Sequence, residues 1–239
     1  MDKYERKPLI AAGIVAITGA AVIIAGVTAL KHVFGYPDII RAKPEIIMER
    51  LASTAHLTPY LYYFGVGGAG LCIFIFSILF ARLMAKNGED LFSAVGKGAG
   101  MVGGTLLYAG IIRYSILFPR LASLRETGSY DGKTIDLVFY SLNSYIGDSL
   151  AEHAQFTFTA IMILCFGIAI IRTKIVSRWA AVFGFMTVPV IIIGNLEQFG
   201  VKAAFIFNRT GAKMLALWLL AVGVLLIMKG IRTGRAVTE

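Results

Sequence analysis

Charged residues are scarce in this chain, at 15% of 239 positions against 57% apolar ones, where soluble domains carry roughly 25% charge. The apolar residues are gathered into long uncharged runs rather than spread along amphipathic faces, and the mean hydropathy is +0.76. Both features exclude an ordinary water-soluble domain. There are only two cysteines. Cys72 and Cys165 both lie inside apolar runs, which excludes a disulfide framework and leaves the redox compartment unread. Nucleophile motifs are missing as well: there is no G-x-S-x-G and no Ser/His/Asp set in a supporting motif. The three histidines, His32, His56 and His153, include no i, i+4 pair that would fix two metal ligands on one helix.

Acids are fewer than bases, 14 against 23, for a net charge of +9. The bases sit in short clusters at the ends of apolar runs, where membrane flanks belong. No basic stripe is interleaved with exposed aromatics, which excludes a nucleic-acid surface. The partner this pattern fits is the lipid bilayer.

What is present is a set of runs long enough to span lipid. Ile10 to Leu30 holds no charge over 21 residues, about 31 Å as a helix. It follows Lys3, Arg6 and Lys7, yet it is too long for a signal-peptide core and no small-x-small cleavage site follows, so a retained span is expected. The expectation is an all-α polytopic transmembrane bundle of about six spans in one domain, 1–239, with spans at about 10–30, 57–79, 98–118, 149–171, 179–196 and 214–228. Residues 31–56 read as a polar connection containing a short surface helix, and 135–147 as an amphipathic piece ahead of the fourth span. Six spans place both termini on one face. The short, densely basic segments around 82–86, 172–178 and 229–235 share that face, so the positive-inside rule predicts cytoplasmic termini in the cell membrane.

Two glycine patterns stand out. Gly65 to Gly70 satisfies G-x-G-x-x-G, but it lies within an uncharged run rather than between a strand and a helix, so close helix approach explains it better than a dinucleotide. Gly96, Gly100 and Gly104 recur every four residues on one helical face. With Gly65 they are candidates for packing within the bundle or against another membrane subunit.

Asp148, Glu152, Gln155 and Thr159 fall within about 60° at 100° per residue on the fourth span. A carboxylate at the bilayer centre costs at least ~2.5 kcal/mol, so this stripe is expected to face the bundle interior or water. Arg113, about 7–8 Å below the outer end of the third span, is the available partner, and Glu197 closes the fifth span on the same side. The cluster admits three readings: a snorkelling arginine with solvated acids, a structural ion pair, or a ligand or transport site. His56, Glu152 and His153 are candidate metal ligands, since imidazole and carboxylate suit zinc, iron or copper; no motif names a cofactor. Asn208-Arg209-Thr210 forms a glycosylation sequon.

Gly167, Arg172-Thr173-Lys174-Ile175-Val176-Ser177-Arg178-Trp179 and Gly184 resemble an uncharacterised membrane family, domain of unknown function 4386. In that family a helix ends in a glycine and a basic-small pair, and a short Pro-Arg loop leads into a Leu-Gly helix. Here Ser177 stands for the proline and Phe183 for the leucine. Arg113 and the polar start of the fourth span around His153 also fit the pattern. The resemblance implies six spans and no established activity. Three functions therefore stand open: a non-enzymatic subunit or accessory protein, packing against other subunits or itself; a small-solute or ion binder using the polar cluster; and a membrane-embedded metal or redox enzyme. The balance of motifs leans against an enzyme.

Overall fold

The computed structural model describes residues 6–235, with side chains described to residue 233. Lys3 of the first basic cluster and the side chain of Arg235 lie outside that range. The described residues form seven helices and no strand. They are α1 (Arg6–Val33), α2 (Pro44–Ser53), α3 (Thr58–Ala85), α4 (Leu91–Glu126), α5 (Gly132–Thr173), α6 (Arg178–Phe199) and α7 (Ala204–Arg235). All but α2 are long and apolar enough to cross a membrane.

Local chemistry sets the boundaries. Pro44 and Pro59 open α2 and α3 in the first helical positions, where a missing N–H costs nothing. Asp131 caps α5 by accepting from the Thr134 amide at 3.0 Å. Glu89 accepts from the Phe92 amide at 3.2 Å at the start of α4, and its other oxygen takes Arg172 at 3.1 Å, tying the end of α5 to that corner. Lys174 and Gly200, both in the left-handed region, stop α5 and α6.

The six long helices pack in chain order as a closed ring, α1 on α3, α3 on α4, and so on to α7, which returns to α1. Neighbours run antiparallel, so one face carries the described chain ends and the opposite, distal face carries α2. Large apolar side chains such as Ile14, Leu71, Ile75, Val102, Leu164, Met186 and Leu217 point outward and are exposed. Such a surface is costly in water and natural in hydrocarbon.

The interior has two parts. Toward the chain ends it is aromatic: Phe76 stacks on Phe80 at 4.9 Å, Phe166 and Trp218 meet that pair edge-on, and Trp218 Nε1 donates to the Ala180 carbonyl at 3.0 Å. Glycines set the helix spacing in both parts. A methyl group on Gly65 would fall 2.8 Å from Gly26 Cα on α1; on Gly96 it would strike Phe166; on Gly100, Ser77 and Met162; and on Gly104, the Gly70 carbonyl and Phe74. All four glycines singled out by sequence thus face neighbouring helices of the same chain.

The distal half differs. The expected amphipathic piece and fourth span are one helix, the 42-residue α5, about 63 Å long at 1.5 Å per residue. Together with the 36-residue α4 it projects past a hydrocarbon layer of about 30 Å. Arg125 holds Asp136 across that hairpin at 3.0 Å, and α2 packs on it through Ile47, Met48 and Leu51. The last helix starts at Ala204, ten residues before the expected 214.

Candidate functional site in the distal half

Three stretches leave regular α-geometry for wide turns bonded i to i+5: Leu61–Gly67 in α3, Arg113–Leu117 in α4 and Asn143–Ala154 in α5. All lie in the distal half, and the first two touch. Wide turns inside α-helices are rare, and they gather at functional sites because they displace side chains and free carbonyls.

Arg113 begins the second of these turns. Its side chain does not reach outward: the residue is 7% exposed. Nη1 donates to the Gly110 carbonyl, a close contact within its own helix. Nε and Nη2 donate to Asn143 Oδ1 at 3.4 and 3.3 Å, and Tyr114 Oη donates to the same oxygen at 3.4 Å. The guanidinium lies 4.9 Å from the Tyr114 ring centroid and 5.7 Å from that of Phe118. It closes on the backbone of Gly147, one turn beyond Asn143. Among the described residues no carboxylate lies within ion-pair distance of it; the cation is held by neutral acceptors and aromatic faces.

Tyr62, 1% exposed, stacks on Tyr114 with centroids 4.4 Å apart, and its hydroxyl has no hydrogen-bond partner among the described residues. Phe34 meets both tyrosines edge-on, and Phe118 and Phe139 complete the aromatic wall.

Among the described residues, the acids expected to pair with Arg113 do not come within ion-pair distance of it. Glu152 Oε2 accepts from Gln198 Nε2 at 2.9 Å and Asn208 Nδ2 at 3.4 Å, so its charge too is met by neutral amides. Asp148 makes no hydrogen bond or ion pair among the described residues. Gln155 and Thr159 bond each other at 2.8 Å in full burial and face Gly103 of α4. The stripe expected from 100° per residue is therefore split. More than 3.6 residues per turn through 143–154 carries the two acids away from Gln155 and Thr159.

Glu197 instead pairs with Arg41, Oε1 lying 2.7 Å from Nη2. Arg41 and Arg209 both lie over the Phe205 ring, at 4.4 and 4.5 Å, and Arg209 reaches Asp38 at 3.5 Å. The segment between α1 and α2 is thereby clamped across the distal ends of α6 and α7. Tyr36, in that segment, has its phenol pushed up to about 12, first by burial and then by the Glu152 charge.

The three metal candidates do not come together. His56 is exposed in the turn before α3, whereas the His153 ring packs edge-on against Phe199 at 5.3 Å with Nδ1 unpartnered. No group of three His, Cys, Asp or Glu side chains among the described residues could hold a metal ion. Asn143, Tyr62, Tyr114 and Gln198 belong to the site without having been singled out by sequence, and Asn208 enters it although the sequence marks it only as part of a sequon. The only advance sign was Asn143 and Gly147 at i, i+4 in a stretch otherwise read as an amphipathic flank.

Six apolar helices with outward apolar belts define a multi-pass integral membrane protein, with a cluster of polar and aromatic side chains at one end of its bundle. Comparisons with protein-family models, with curated proteins and with solved structures find no match to the chain.

Proposed function

We propose that the protein binds a small solute bearing a carboxylate, with Arg113 as its anion anchor, and that it carries or senses that solute at the distal face. One observation carries the reading: a guanidinium enclosed in the bundle with no acid within ion-pair distance among the described residues. Enclosed charges are normally paired, because desolvating an unpaired one costs several kcal/mol. A bound carboxylate would supply the missing charge, and the orphan hydroxyl of Tyr62 would supply a donor beside it. The separated Glu152, held by amides alone, can meet a cationic or protonated group on the same solute.

The glycine faces that favoured a subunit role are occupied by α1, α3 and α5 of this chain, so that ground for an accessory function falls away. The basic 82–86 and 172–178 segments support cytoplasmic chain ends, in keeping with a cell-membrane location. The similarity around Arg172 and Gly184 supports membership of the uncharacterised family named above.

The test is a thermal-unfolding screen of detergent-purified protein against acetate, benzoate, leucine and glycine betaine, each beside an uncharged amide analogue. Carboxylates should raise the unfolding temperature where amides do not. Tyr62→Phe should weaken that effect without lowering the unliganded melting temperature. A screen in which acids and amides act alike contradicts the proposal.

A further inference from the structure

On the opposite face, the four-residue connection between α5 and α6 meets the last turns of α7. A cleft of about 520 Å³ opens there. Its rim is cationic, formed by Lys174, Lys229 and Arg232, and no acid is among its lining residues in the described part of the chain. Its floor is apolar, with Ile175, Val176, Leu225 and Met228, and its lining also includes Ser177 and Thr233. Lys229 Nζ donates to the Lys174 carbonyl at 3.4 Å, joining the two sides.

Depth decides what such a cleft can take. Trp179, 68% exposed on the first turn of α6, stands beside it, and exposed tryptophans mark the lipid–water interface. From Met228 the apolar floor continues onto exposed Val224 and Leu217 along the outer side of α7. A basic rim at headgroup level above an apolar track matches a phosphate ester joined to acyl chains, and basic clefts between helices at this level hold anionic headgroups.

We propose that this cleft binds an anionic glycerophospholipid, its phosphate between Lys174 and Arg232 and an acyl chain along Met228 and Leu217. The site lies across the bilayer from the cluster around Arg113 and does not depend on its function.

The test is native mass spectrometry of the full chain released from nanodiscs of equimolar phosphatidylglycerol and phosphatidylcholine. Wild type should retain phosphatidylglycerol selectively. Each cation near the surface contributes about fivefold, so Lys174→Ala with Arg232→Ala should lower that selectivity about 10- to 30-fold. Both residues are exposed, so the pair should fold; Lys174→Glu with Arg232→Glu should abolish the selectivity. Equal retention of both lipids by wild type, or unchanged selectivity in both double variants, would overturn the proposal. Displacement of the lipid by inorganic phosphate would overturn it too, by assigning the rim to a free anion.

Discussion

The Arg113 guanidinium rests so closely on Gly147 that a methyl group there would overlap Nη2. The contact joins the wide turn of α4 to that of α5 and accounts for a glycine within a helix, where it costs about 0.5–1 kcal/mol relative to alanine. Gly147→Ala should displace the guanidinium from Asn143 and destabilise the protein by about 1–3 kcal/mol. Combined with Arg113→Ala, the double-mutant cycle should return a coupling of about 0.5–3 kcal/mol, read from unfolding in detergent. Additive effects would mean that the two residues do not meet.

Glycines of one helix face should differ sharply from their neighbours. A side chain on Gly100 would enter Ser77 and Met162, whereas Gly98 has nothing within 4 Å of its would-be Cβ. Gly100→Val should cost about 1–3 kcal/mol or more through overpacking, while Gly98→Ala should be neutral or gain up to about 1 kcal/mol from helix propensity. Comparable melting temperatures for the two variants would refute the assigned α3–α4–α5 packing.

The reach of sequence reasoning follows from these cases. Uninterrupted apolar runs expose the six spans because lipid leaves few alternatives for an uncharged segment. Spacing likewise showed that Gly96, Gly100 and Gly104 share a face, but could not say which helix fills it. The sequence marks Arg113 as a charge inside a span and leaves open whether it snorkels, pairs or binds a ligand. Its partner was not legible, since charge complementarity points to Asp148 or Glu152, and the wide turn through 143–154 changes the angular step on which that inference rests. Asn143 wins by position: one turn from Gly147, it lies where the guanidinium can reach it. Aromatic residues such as Tyr62 carry no sign in sequence that separates a stacked wall from a lipid-facing belt.

The clamp formed by Arg41 and Glu197 should be weak in stability and measurable in access. Arg41 and Glu197 are 35% and 17% exposed in their side chains, and partly solvated pairs contribute about 1 kcal/mol or less. Glu197→Gln should leave the melting temperature nearly unchanged yet speed labelling of a cysteine placed at Ile39, with wild type approaching the variant as salt is raised. Identical labelling rates at every salt concentration would show that the pair does not hold the segment.

Tyr36 supplies a pH signature. Its folded value of about 12 exceeds the usual phenol value near 10, so the folded state holds the proton more tightly than the unfolded chain. That contribution is complete below pH ~10 and is lost as pH rises through about 12. In the ultraviolet difference titration of wild type against Tyr36→Phe, the missing phenol should ionise about two units late. A difference curve centred near 10 would contradict the half-buried position of Tyr36 beside Glu152.

The most direct measurement is equilibrium binding of whichever screened carboxylate stabilises most, to wild type, Arg113→Gln and Glu152→Gln, each checked for retained folding. Charge-assisted hydrogen bonds are worth about 1.5–3 kcal/mol, so Arg113→Gln should weaken binding by roughly 10- to 100-fold, with a smaller loss in Glu152→Gln. Affinity unchanged in a folded Arg113→Gln protein would contradict the assignment of Arg113 as the anion anchor.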